Sequence, residues 1–208
     1  MTKTDSGVEV GRLSDRVEVL ELGASFGSAE QPPRQPAAAQ NVSESDTPAA
    51  WEWWTVRRTW AQAELAVKTN VYSVHGIGAA GVIFTLRRQP LGLDNALRWK
   101  GQHCLITAIR PKGRLYLTVE AALVVLSQCR NPKNGETFPA VMTERYVGHQ
   151  QQEPMAVNKH QRVLVTPKAV RLAPGKLVEV DGIPWPIITP YELDPHKNEY
   201  AIERTVDL

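Results

Sequence analysis

Short apolar runs separated by glycine- and proline-bearing bends dominate the chain. Val17 to Leu22 alternates in part and is rich in β-formers, which predicts a first strand. Residues 23–50 are mostly Ala, Pro, Ser, Gln and Glu. Such a segment buries too little surface to offset its ordering entropy, so a long mobile loop is expected. Trp51 to Trp60 follows abruptly as a predicted strand, with a short helical turn as the alternative. Trp54 and Trp60 stand an even number apart, the spacing of one strand face. The pattern continues through Leu65, and Val82 to Arg88 reads as another strand. Leu91 to Asn95 reads as a turn or short helix. Ala96 to Trp99 and Gln102 to Ile109 form a predicted hairpin about Lys100-Gly101. Pro111 to Arg114 is a turn, and Leu115 to Leu126 is a long apolar strand suited to burial on both faces. Residues 130–138 read as an interdomain turn or linker. Val141 to Val147 and Arg162 to Thr166 are strands flanking a polar, Gln-rich loop from Gly148 to Lys159. A second hairpin, Lys176 to Val180 and Ile183 to Ile188, pivots on Asp181-Gly182, and Tyr200 to Val206 closes the chain. About a dozen short strands predict an all-β fold, a small β-barrel or sandwich.

The chain also partly repeats itself at an offset of 81 residues. Val82-Ile83-Phe84-Thr85 aligns with Val163-Leu164-Val165-Thr166, Leu91 with Leu172, and Trp99 to Ile106 with Val180 to Ile187. About five positions are identical. Two matching β units point to tandem barrels. The expected organisation is a flexible N-terminal arm over 1–16, a first β-barrel domain over 17–129 carrying the 23–50 loop, and a second, diverged β domain over 130–208.

Composition narrows the function classes. The net charge of +2 gives no global reason to expect a nucleic-acid binder. No apolar run reaches the ~20 residues of a membrane-spanning helix, and Met1 to Arg12 lacks a signal core, so a cytosol-like compartment and no membrane partner are expected. Cys104 and Cys129 are not in metal or redox spacing, and Cys104, within a strand, reads as a small core residue.

No constellation for catalysis stands out. The five histidines lack metal-site spacing, so neither a metal nor a cofactor is expected. Gly76-x-Gly78-x-x-Gly81 matches a dinucleotide fingerprint literally, but no strand–helix–strand unit surrounds it. Asn70 to Gly81 is glycine-rich and poor in charge, and its His75, Gly76, Gly78 and Gly81 are candidates for a loop facing a channel. Arg57, Arg58, Arg87, Arg88, Lys112 and Arg114 are candidates for contact with DNA or an acidic surface. Trp51, Trp53 and Trp54 are candidate partner anchors beside the long loop.

Five segments, in order, carry a family resemblance over the first 126 residues: Gly11 to Val19, Val56 to Glu64 with its Trp-Ala-x-x-Glu, Phe84 to Arg87, Ala96 to Ile106, and Arg114 to Glu120. Together they resemble the bacteriophage head–tail joining proteins, also called head-closure, stopper or head–tail adaptor proteins. The resemblance implies a small β-barrel assembling with itself as a six- or twelve-fold ring beneath the portal. Such a ring would seal the DNA channel and present a platform for the tail, without catalytic residues or cofactors. The implied partners are the portal or adaptor protein, a tail terminator or tail tube protein, and packaged DNA through non-specific contact. The implied location is the virion head–tail interface, with host cytoplasm during assembly. The residues alone also admit a β-barrel that binds nucleic acid or sugar, which requires exposed aromatics and basic groups on one sheet face.

Overall fold

The computed structural model describes residues 13–25, 48–66, 80–152 and 155–203, with the backbone alone for 145–152 and 155–161. All regular structure among them is β: β1 (Asp15–Ser25), β2 (Ala50–Ala66), β3 (Gly81–Arg87), β4 (Ala96–Trp99), β5 (Gln102–Lys112), β6 (Tyr116–Val124), β7 (Ser127–Arg130), β8 (Thr137–Gln152), β9 (Met155–Pro167), β10 (Leu177–Val180), β11 (Ile183–Tyr191) and β12 (Lys197–Ile202).

The strands close into two six-membered rings. In the first, neighbours run β1-β4-β5-β6-β3-β2 and β2 returns to β1; in the second they run β7-β10-β11-β12-β9-β8 and β8 returns to β7. Every ladder within a ring is antiparallel. Each ring places its fourth strand beside its first, which is Greek-key order, and closure leaves few open edges.

The two barrels agree in register as well as order. Val17 faces Trp99 and Thr59, as Cys129 faces Val180 and Phe138. Ala63 faces Phe84, which faces Val119; Met142 faces Leu164, which faces Tyr200. The β5–β6 ladder slips between Ile106 and Ala108, and β11–β12 slips between Ile187 and Thr189, the same place 81 residues on. The β4–β5 and β10–β11 hairpins share a two-residue turn with both residues at positive φ: Lys100 and Gly101 at 50° and 79°, Asp181 and Gly182 at 50° and 80°. That is the turn whose twist matches its flanking strands.

The ladders correct the repeat in one strand. Phe84 corresponds to Leu164, 80 positions on, and not to Val165, 81 positions on. A slip of one residue exchanges the faces of a strand. Leu164 accordingly lies in the second barrel's core, while Val163 and Val165 pack outside it.

Each barrel fills its own interior. Val17, Val19, Phe84, Leu86, Leu97, Trp99, Ile106 and Val119 fill the first, where Phe84 meets Trp99 edge-on at 5.9 Å between ring centroids. Phe138, Leu164, Val178, Trp185, Ile187 and Tyr200 fill the second. Buried Tyr200 accepts a hydrogen bond from Leu172 N–H (3.0 Å) and donates to Val170 C=O (3.3 Å), which ties down the connection between β9 and β10.

A third apolar cluster joins the barrels. Leu20, Ala96, Leu105, Ala122 and Val124 on the first pack against Val141, Val163 and Val165 on the second, with Trp53 and Leu126 beside them. Around this seam, Lys197 Nζ donates to Ile106 C=O (2.9 Å) and His196 Nδ1 lies 2.8 Å from Asp94 Oδ1. The space left in the seam is about 30 Å³, room for one or two waters and far below the volume of a ligand pocket.

Three segments differ from expectation. Residues 130–138 are not a linker: they are the end of β7, a turn closed by Gly135 N–H to Asn131 C=O, and the start of β8. Gly148 to Lys159 is not a plain loop, because the β8–β9 ladder continues to Gln152↔Met155. β12 pairs with β9 only over Arg162–Pro167, so beyond that point β8 and β9 form a two-stranded ribbon. The segment expected as a loop from 23 gives its first residues to β1, which runs to Ser25, and its last, Ala50, to β2; residues 26–47 lie outside the described residues.

Candidate functional site

The basic candidates, scattered in sequence, converge on the outer surface of the first barrel. Pairing sets Arg16 on β1 opposite Trp60 on β2. Ala61 opposite Leu86 brings Trp60 beside Arg87, and Arg87 pairs with Tyr116, which pairs with Lys112. One row across the strands thus reads Arg16, Trp60, Arg87, Tyr116, Lys112. The inward neighbours Val17, Ala61, Leu86 and Leu117 belong to the core, so strand alternation turns Arg16, Trp60 and Arg87 outward. Arg88 N–H donates to Leu115 C=O, which places Arg88 next to the turn that carries Arg114.

Trp60 is 57% exposed, although a tryptophan of this size normally buries most of its ring. With Leu13, Arg58, Thr59 and Arg87 it lines an open recess of about 450 Å³. Arg58 donates to Glu18 (3.1 Å), and Arg98 reaches the other oxygen of that carboxylate (3.2 Å). Burial works to raise the Glu18 pKa, but the bonds from Arg58 and Thr55 and the two positive charges prevail and hold it below the usual carboxylate range. Glu18 therefore stays ionised and fixes Arg58 at the rim. Arg16, Arg87, Arg88 and Arg114 have no carboxylate partner among the described residues, and all four are exposed. Lys112 lies over the sheet with Nζ 3.4 Å from Thr85 Oγ1. Arg57 stands apart, bonded to Gln89 Oε1 and Pro90 C=O.

The three clustered tryptophans go elsewhere. Trp51 packs against the second barrel's core and donates through Nε1 to Glu136 (2.6 Å). Trp53 lies on the seam, 5.1 Å from the His103 ring. Trp54 is half-buried, with its Nε1 buried and lacking a hydrogen-bond partner among the described residues. Trp54 and Trp60 do not share a face. The β1–β2 register slips between Val19 and Leu20, leaving Val56 as an extra residue and reversing the alternation beyond it. Trp60, and not the expected anchors Trp51, Trp53 and Trp54, is the exposed ring. The signal that identifies it is its cross-strand pairing with arginines, which a linear pattern does not display.

Of the channel-loop candidates, His75, Gly76 and Gly78 lie outside the described residues. Gly81 is a strand residue, buried and paired with Ala66 and Ala122, because the β2–β3–β6 ladder begins there. The connection from Ala66 to Gly81 holds the same place in the first barrel as the β8–β9 ribbon holds in the second.

Burial pushes the Cys104 thiol up to about 11 and the Cys129 thiol to about 12, which keeps both protonated and unreactive at neutral pH. Among the described residues, no three His, Cys, Asp or Glu side chains are grouped to hold a metal ion. No family model, curated protein or solved structure matches the chain.

Proposed function

We propose that this chain is a structural virion protein of a phage head–tail connector, assembling with copies of itself into a ring that closes the DNA channel and receives the tail. The observation that carries the reading is the β8–β9 ribbon. Its strands pair with each other from Arg145↔Gln161 to Gln152↔Met155 and with no other strand among the described residues. A two-stranded ribbon is marginally stable alone, and its open backbone edges favour addition of a strand from another chain. The closed barrels, by contrast, leave few open edges and suit a ring wall. Leu65, Leu115 and Leu177 add exposed apolar contacts to that wall. A head-to-tail interface repeated around an axis closes a ring, and each closure strengthens the rest.

Light scattering after size exclusion, with negative-stain imaging in the presence of a phage portal protein, tests the proposal. Rings or capped portals are expected. Removing residues 147–159 should leave both barrels folded by circular dichroism and abolish the rings. A full-length chain that stays monomeric with the portal present at tens of micromolar refutes the assignment.

A further inference from the structure

We infer that the face around Trp60 binds single-stranded nucleic acid, with a base stacked on the indole and phosphates held by Arg16, Arg58, Arg87 and Lys112. The inference does not depend on the connector reading. It starts from the exposed ring at the centre of a cationic row. Trp60 has Arg16 on one neighbouring strand and Arg87 on the other, each about 5 Å away at ordinary strand spacing. Sheet faces that bind single strands combine these two elements, an aromatic platform for the base and a basic track for the backbone. The recess beside Trp60 is open, which admits a chain that passes through in preference to a small molecule that must be enclosed.

Charge selects the occupant. Arg16, Arg87, Arg88 and Arg114 are exposed without carboxylate partners among the described residues, and Glu18, the acid at the rim, is already bonded to Arg58 and Arg98. Cationic side chains therefore outnumber carboxylates on this face although the whole chain carries only +2. A polyanion matches it, and the exposed indole adds a preference for unpaired bases over duplex, whose bases are already stacked. Trp60 and Arg87 project outward, so changing them leaves the core of the first barrel intact.

The test is fluorescence anisotropy of a labelled 20-mer of thymidylate, titrated with full-length protein from 50 to 300 mM NaCl, with a duplex of equal length alongside. Single-strand binding is expected, with log K falling by about 2 to 3 per decade of salt for three to four neutralised phosphates. Trp60→Ala should weaken binding roughly five- to 150-fold with little change in that slope, and Trp60→Phe should restore most of it. The Arg16→Ala, Arg87→Ala double variant should lower the slope by about 1.4. Lys176→Ala, on the second barrel, should change nothing. Absence of binding at 50 mM NaCl overturns the inference. So does Trp60→Ala affinity equal to wild type, or duplex affinity equal to single strand. A Trp60→Ala variant that loses self-association while the wild type binds no oligonucleotide assigns the face to protein contact and also overturns it.

Discussion

Acid should act on this protein through one histidine at the seam between the barrels. His103 is buried (7% exposed) on the outer side of β5, against the Trp53 ring, with its Nε2 lacking a partner among the described residues. Burial, and then the neighbouring positive charge of Arg98, lowers its pKa from 6.5 to about 4. The unfolded chain therefore binds a proton near pH 6.5 that the folded chain refuses until about pH 4. Stability is fully present above pH 6.5, falls as pH drops through the interval, and levels off below about 4. Integration over this interval gives a loss of about 2 kcal/mol by pH 5 and about 3 kcal/mol by pH 4. His103→Leu keeps an apolar side chain at the seam and removes the titration. Urea unfolding followed by circular dichroism at pH 7.5, 6 and 5 measures the effect. The wild type should lose about 2 kcal/mol more than His103→Leu between pH 7.5 and 5. Parallel profiles for the two proteins would show that the imidazole stays uncharged in neither state more than the other, and would refute the burial argument.

Several other positions have definite expectations. Phe84→Ala should cost about 3–5 kcal/mol and Leu164→Ala about 2–5 kcal/mol, since the two are equivalent core positions; urea midpoints measure both, and a cost below 1 kcal/mol at either would contradict the register. Tyr200→Phe should cost about 1–3 kcal/mol by stranding Leu172 N–H, read by thermal denaturation. Gly101→Val and Gly182→Val should each destabilise by about 1–2 kcal/mol or more, because both positions need positive φ, and equality with wild type would exclude the shared turn. Iodoacetamide at pH 7.5 should leave Cys104 and Cys129 unmodified by mass spectrometry in the folded protein and alkylate both in urea.

The features legible in sequence were those fixed by neighbours along the chain. Lys100-Gly101 and Asp181-Gly182 announce their turns because a tight hairpin demands positive φ within two residues. The apolar run at Leu115 to Leu126 announces β6 because its density of Leu, Val and Tyr favours an extended strand whatever its partners. Properties set by pairing were hidden. The bulge at Val56 decides which tryptophans face solvent, and it exists only relative to β1. The place of Leu164 opposite Tyr200 depends on β12, so a gapless alignment put it one residue out. The ribbon over 145–161 was hidden by its polar composition: its backbone pairs across a hairpin without an apolar face to signal it. The basic face was hidden because Arg16, Trp60, Arg87 and Lys112 become neighbours only when five strands are laid side by side.

Agreement of the two barrels goes further than shared architecture requires. Greek-key order alone fixes which strands touch, not their registers or the position of a bulge. Independent barrels would be free to differ at each of six ladders, since a two-residue shift preserves the inward and outward faces. Here every ladder is matched by corresponding residues, and the slip after Ile106 recurs after Ile187. Duplication of one ancestral barrel accounts for this with a single event, followed by changes in connection length such as the one that displaces β9 by one position. It also accounts for the placement of what differs. Core positions retained their apolar character through Phe84 and Leu164, or Val119 and Tyr200, since each closed interior had to be refilled. The surface was free to diverge: Trp60 corresponds to Pro139, which adjoins the seam pocket, and Arg16 corresponds to Gln128. At these corresponding positions the second barrel adjoins the contact between barrels while the first carries its exposed indole and arginines, so two scaffolds of one register present two different surfaces.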